Sequence, residues 1–300
     1  MSSLDVLANK KNKLYGGAWS IHDPELLKAV TITKKNSIDT IQFCEHFKDW
    51  ISKGKNFIGW KDFTHLDYSN GTTETFDKFY QTYSSQRLRL FRGEYYYHQV
   101  QARLLFKNRF AWINDAPLEH GDVLVMSCPF SDTGNIPEGF EDILSECDRL
   151  SIPVLIDMAY ISISDIKELD LSHPCIQVIT SSLSKVFPVE HHRIGIRMKR
   201  EFEDDTMTAY NLNNYVNQNS VNIGYHMINT FSNSWLINRY KEKQKEMCRE
   251  LAVDISPCVI FGIDRNNRFP EYSRGTETNR LCFSRLWDGR NINNNIDNIF

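Results

Sequence analysis

Three short apolar runs dominate the middle of the chain: Val123-Leu124-Val125-Met126, Val154-Leu155-Ile156 and Ile176-Gln177-Val178-Ile179. Each is rich in β-formers and too short for a helix, the pattern of a strand buried on both faces. Gly121-Asp122 opens the first run and Pro129 closes it; the second stops at Asp157 and the third at Thr180-Ser181-Ser182. Between the first two, Pro137 stands where a helix can start, and Phe140, Ile143, Leu144, Cys147 and Leu150 recur on one helical face before Pro153. This alternation of strand and helix periods predicts a mainly parallel α/β sheet. Ligands of such sheets bind beyond the carboxyl ends of the strands, which makes Ser131, Asp157 and the segment 182–185 candidate site residues.

Upstream, Asn70-Gly71-Thr72-Thr73-Glu74 precedes a helical pattern of Phe76, Phe79, Tyr80 and Tyr83, so its backbone N–H groups open a helix and attract phosphate. Beyond about residue 205 the pattern changes to long helices, notably Trp235 to Val253, and then to strands around Val259–Ile263 and Leu281–Phe283. The expected division is a large domain over 30–205, with an N-terminal arm (1–29) and a small α+β domain (206–300) beside it. The arm carries Tyr15-Gly16-Gly17-Ala18-Trp19, suited to lying across another surface, and the Asn-rich 291–295 reads as a frayed terminus.

With 35 Lys plus Arg against 38 Asp plus Glu, the chain has a formal charge of -3, and no global positive field favours nucleic acid. Small molecules are the expected partners. No apolar run approaches the roughly 20 residues of a membrane span. The opening Met1-Ser2-Ser3-Leu4-Asp5 lacks a secretory core, so the expected location is cytoplasmic. The seven cysteines are dispersed with no C-x-x-C pair and read as reduced core thiols. His191-His192 are adjacent and point apart on any regular element, and no metal site is expected.

The chemistry concentrates in Asp157-Met158-Ala159-Tyr160 and in Ser182-Leu183-Ser184-Lys185, with Arg193-Ile194-Gly195 following so that Arg193 stands eight positions after the lysine. These segments resemble the D-x-A-Y and S-x-S-K-x(7)-R-x-G motifs of fold-type-I pyridoxal-phosphate (PLP) enzymes, within them the class I/II aminotransferases typified by aspartate aminotransferase. The resemblance covers about residues 65 to 290 and is densest from Gly121 to Gly195. It implies an internal aldimine between Lys185 and PLP, with the freed lysine moving the proton between substrate and cofactor. Asp157 then faces the pyridine nitrogen and Tyr160 the phenolic oxygen. Arg193, Ser182, Ser184 and the Gly71-Thr72-Thr73 turn hold the phosphate region, and Tyr95, in Arg92-Gly93-Glu94-Tyr95, stacks on the ring. Arg280 grips the substrate α-carboxylate, with Gly17 of the arm beside it. His98, His191 and His192 read as hydrogen-bonded neighbours.

Two departures from the family stand out. Cys128-Pro129-Phe130-Ser131-Asp132-Thr133-Gly134 corresponds to N-P-x-N-P-T-G, with Ser131 in place of the asparagine that contacts the phenolic oxygen and Asp132 in place of a proline. The chain is also shorter than usual members. The resemblance thus implies a homodimeric transaminase acting on an amino acid and a 2-oxo acid. A PLP-dependent decarboxylase, lyase or cyclase, or a non-catalytic binding protein on the same scaffold, remains open at this point.

Overall fold

The structure is a computed structural model that describes residues 14, 16–32 and 38–287. Tyr15 of the arm and the Asn-rich tail lie outside the described residues.

The main sheet has seven strands. In chain order these are β2 (His65–Asn70), β3 (Arg87–Leu90), β4 (Phe110–Trp112), β5 (Asp122–Ser127), β6 (Val154–Asp157), β8 (Ile176–Ser182) and β9 (Ile194–Lys199). Their spatial order is β2-β9-β8-β6-β5-β3-β4. All neighbours run parallel except β9, which is antiparallel to β2 and β8. β1 (Asn56–Ile58) and β7 (Glu168–Asp170) form a separate parallel pair.

Side chains alternate across the sheet as the pleat demands. On β5, Val123 and Val125 pack with Phe76, Phe79 and Tyr80 of helix α3 (Thr72–Thr82). Leu124 and Met126 point to the opposite face, into the larger cluster with Phe43 and Phe47 of α2 (Thr40–Ser52) and Leu144 and Cys147 of α5 (Phe140–Leu150). Because both faces are covered, the apolar runs show no alternation in sequence. Helix α1 (Pro24–Thr31) precedes these, capped by Asp23, and α4 (Tyr96–Gln101) follows β3.

The α5 start differs from the expectation at Pro137. Gly139 adopts the left-handed conformation (φ 68°, ψ 22°), which a right-handed helix cannot pass through, so Pro137 stays in the preceding turn. Similarly, Ala252 in the left-handed region (φ 51°) ends α8 (Trp235–Leu251) two residues short of the expected stretch.

Helices α6 (Thr206–Leu212) and α7 (Gln218–Thr230) lead into α8, which packs on a three-stranded antiparallel sheet of β10 (Asp254–Ile255), β11 (Phe261–Asp264) and β12 (Asn279–Cys282). Met247, Cys248, Leu251, Leu281 and Phe283 form its own cluster. Among the described residues no helix is long and apolar enough to cross a membrane.

Candidate active site

β5 and β6 stop level with each other and β8 runs on to Ser182: Ser127 pairs with Asp157, and Asp157 with Thr180. The loops that leave these carboxyl ends line one pocket with the α3 N-terminus. Its walls include Thr72, Thr73, Tyr95, Ser131, Asp157 and Tyr160, and further on Ser182, Ser184, Lys185 and Arg193. Sequence positions more than a hundred residues apart thus converge where the strand pattern placed them.

The α3 end of the pocket could hold an anion. Gly71 is the helix N-cap with φ 73° and ψ 177°, and among the described residues no side chain caps the helix, so its first N–H groups remain open. Arg193 reaches this turn, its Nη2 donating to Thr73 Oγ1 at 3.2 Å. Arg193 itself sits in the left-handed region (φ 53°, ψ 64°). That strained backbone is anchored by its carbonyl, which accepts from Tyr68 Oη at 2.9 Å, and by Ser220 Oγ donating to the His192 carbonyl at 2.6 Å. The R-x-G spacing also has a steric cause: a Cβ on Gly195 would lie 2.7 Å from Ser69 Oγ and 2.8 Å from the Gly71 carbonyl carbon. Only glycine lets β9 pass this close to the turn.

At the centre, Asp157 is 5% exposed and its Oδ1 accepts from the Ala159 N–H at 2.9 Å. Its Oδ2 faces Nε2 of the fully buried His98 at 3.9 Å. The Tyr80 hydroxyl is 2.6 Å from His98 Nδ1. With Tyr80 donating to Nδ1, the imidazole keeps its proton on Nε2, aimed at the carboxylate. Tyr95, 40% exposed, lies edge-on to the His98 imidazole with centroids 5.8 Å apart, and burial raises its phenol pKa.

Lys185 Nζ donates to the Ala18 carbonyl at 2.7 Å, and the neighbouring Ser184 hydroxyl is buried without a hydrogen-bond partner among the described residues. Arg280, 1% exposed, donates from Nη1 to the Ser131 carbonyl and to Tyr160 Oη (3.2 Å), and from Nη2 to the Gly16 carbonyl (3.1 Å). The arm segment on either side of Gly17 therefore lies over its own chain's Lys185 and Arg280. Ser20 Oγ donates to Glu190 Oε1 at 2.8 Å, and His22 Nε2 lies 2.9 Å from the same oxygen. Burial alone would raise the Glu190 pKa, but the His22 and Ser20 contacts bring it below the usual carboxylate value.

Sequence reasoning passed over Glu94 and Arg274 and gave His98 only a neighbour's role. Glu94 is fully buried, with Oε1 accepting from Ser127 N (2.8 Å) and Oε2 from Ser127 Oγ (2.6 Å). Burial raises its pKa. The available signal was proximity to Tyr95: Glu94 precedes it and His98 lies three positions on, one helical turn away. Arg274 offered none, because only the β11–β12 connection brings it here.

No family profile and no curated protein sequence matches this chain. Solved structures do. An aromatic aminotransferase from Pyrococcus horikoshii aligns over 95% of this chain and 96% of its own, with a TM-score of 0.63 at 12% identity. A PLP-bound C-S lyase from Staphylococcus hominis aligns over 90% and 85% (TM-score 0.65, 10% identity). An L-threonine-O-3-phosphate decarboxylase from Porphyromonas gingivalis aligns over 88% and 92% (TM-score 0.59, 12% identity). The chain has the fold-type-I architecture that these PLP-dependent aminotransferases and lyases share.

Proposed function

We propose that this chain is a PLP-dependent aminotransferase that moves an amino group between an amino acid and a 2-oxo acid. The supporting observation is the single pocket that gathers Lys185, Asp157, Tyr160, Tyr95, Arg193 and the open α3 N-terminus at the carboxyl ends of the parallel strands. The donor set fits the cofactor. One end offers a guanidinium and unpaired helix N–H groups for a phosphate, the middle a buried carboxylate, and the wall an amine beside an unpartnered Ser184 hydroxyl. PLP, when bound, supplies an aldehyde for amines and a ring that accepts electrons.

This chain's residues then divide the work. Gly71, Thr72, Thr73, Ser182, Ser184 and Arg193 hold the phosphate end. The Asp157 carboxylate would face a ring nitrogen and favour its protonated form, with the Tyr80–His98 pair behind that carboxylate. Tyr95 would cover the ring face, and Tyr160 and Ser131 would face its oxygen. Arg280 exchanges its backbone partners, the carbonyls of Gly16 and Ser131, for a substrate carboxylate, which binds a guanidinium more strongly because it is charged. Lys185 leaves the Ala18 carbonyl, and its amine carries a proton to and from the substrate α-carbon. In this reading 30–205 is the cofactor domain, the arm (1–29) and a small domain (206–300) stand beside it, and the working unit is a homodimer.

A β-eliminating or decarboxylating PLP enzyme is the second reading, favoured by the equally similar C-S lyase and decarboxylase structures. The test is the visible spectrum of purified protein with PLP, before and after single amino acids are added, beside Lys185→Ala. A visible band lost in the variant and bleached to pyridoxamine phosphate by an amino donor alone supports transamination. Pyruvate, ammonia or carbon dioxide released without pyridoxamine phosphate supports the second reading. No visible band in the wild type rejects both.

A further inference from the structure

Ser131 is where the chain departs from the motif it resembles, and the structure surrounds it with a polar network of its own. We propose that Arg274 is a positioning residue that fixes Ser131 so that its hydroxyl proton is donated into the pocket, to an anionic oxygen of the bound ligand. This inference rests on the cofactor-site reading above.

Ser131 is 1% exposed, and its other polar groups are already committed. Its N–H donates to Ser127 Oγ at 2.8 Å, and its carbonyl accepts from Arg280. Arg274 Nη2 donates to Ser131 Oγ at 3.1 Å, so a lone pair of the hydroxyl is taken. Ser127 Oγ has spent its own hydrogen on Glu94. A hydroxyl has one hydrogen to give. Among the described residues no acceptor takes that of Ser131, whose side chain lines the pocket with Lys185 and Tyr160. Accepting from a guanidinium also polarises the hydroxyl and makes it a stronger donor.

Arg274 does not line the pocket, so it acts through what it holds. The same Nη2 lies 3.2 Å from the Gly93 carbonyl and 3.1 Å from the Glu94 carbonyl, the turn that delivers Tyr95. One guanidinium therefore ties Ser131 to the turn that precedes Tyr95. Its charge is answered by Asp132, whose Oδ1 is 3.4 Å from Nε and whose Oδ2 accepts from Thr276 Oγ1 and Thr278 Oγ1, both at 2.7 Å. Close packing makes this possible: a Cβ on Gly93 (φ 85°) would sit 2.8 Å from Thr276 Cγ2 and 2.9 Å from Asp132 Cβ. The aspartate that replaces a motif proline is thus the anchor for the arginine that serves Ser131.

The experiment titrates apo-protein with PLP and follows the visible band across pH for wild type, Arg274→Met, Arg274→Lys, Ser131→Ala and the Ser131→Ala/Arg274→Met double variant. Losing a donor leaves the ligand's phenolic oxygen more basic, so the band's pH midpoint should rise by about one unit in Arg274→Met and in Ser131→Ala, and no further in the double variant. PLP affinity should fall about tenfold in each single variant. Arg274→Lys, which keeps the charge but not the reach to three acceptors, should shift in the same direction, and it carries the comparison if Arg274→Met does not fold by circular dichroism. A wild-type midpoint in either Arg274 variant, or shifts that add in the double variant, overturns the proposal while leaving the cofactor reading intact. A wild type that shows no band at saturating PLP overturns the cofactor reading and this inference with it.

Discussion

Replacing Gly71 with alanine attacks the proposed phosphate end of the pocket without removing any of its donors. At φ 73° and ψ 177° the backbone occupies a region that only glycine enters cheaply, so the substitution costs about 1–3 kcal/mol of stability. The new methyl would lie 2.2 Å from Arg193 Nη2 and 2.7 Å from its Cζ. The guanidinium is the movable partner, and it must leave Thr73 Oγ1. A charge-assisted contact to phosphate is worth about 1.5–3 kcal/mol, so PLP binding should weaken about tenfold to a hundredfold. Equilibrium dialysis with PLP, and with pyridoxal lacking the phosphate, separates this from general damage. Pyridoxal should bind Gly71→Ala and wild type alike, and Gly71→Ala/Arg193→Gln should bind PLP no more weakly than Arg193→Gln alone. Equal losses for PLP and pyridoxal, or undiminished PLP binding by Gly71→Ala, would refute the steric argument.

Three further outcomes follow from the geometry. His98→Phe strands the buried Tyr80 hydroxyl and should lower the urea midpoint by the equivalent of about 1–3 kcal/mol, with Tyr80→Phe/His98→Phe recovering most of the loss; no recovery means the Tyr80–His98 bond is not the cause. Burial alone would raise the Asp205 pKa, but Arg197, bonded to both its oxygens, and the Thr208 N–H hold it well below the usual range. A depressed native pKa adds stability that is present above the unfolded value and is lost as pH falls through the native one, so the stability gap between wild type and Asp205→Asn should narrow from about pH 5 toward about pH 2. All seven cysteines are buried free thiols, so a thiol reagent at pH 8 should label the native protein slowly and label all seven only in urea; a rapid native equivalent would show one to be accessible.

The parallel sheet was legible because its strands are covered on both faces, so that Val123–Met126, Val154–Ile156 and Ile176–Ile179 read as unbroken apolar runs. Asp157, Ser182 and Lys185 were legible because each stands at or just beyond a strand end, a local property of the chain. The short β3 and β4 were not, since three or four residues give too little pattern to set a period. Glu94 looked like any loop acid: its burial depends on Ser127, thirty-three residues away. Arg274 is more distant still, meeting Ser131 across a separation of 143. Nor did the glycine-rich arm announce its own chain's lysine as its partner, because a backbone carbonyl acceptor leaves no mark on residue choice.

The arm contacts change how any measured affinity at this pocket should be understood. Gly16 and Ala18 present their carbonyls to Arg280 and Lys185, the two cations that the proposed substrate and cofactor require, so the chain acts as a tethered competitor for its own site. A ligand that takes both cations must displace these carbonyls, so its apparent dissociation constant would include the cost of freeing them. Because Ser20 and His22 fasten the same segment to Glu190, that cost is set partly outside the pocket. Binding strength here is therefore a property of the latch as well as of the residues that touch the ligand.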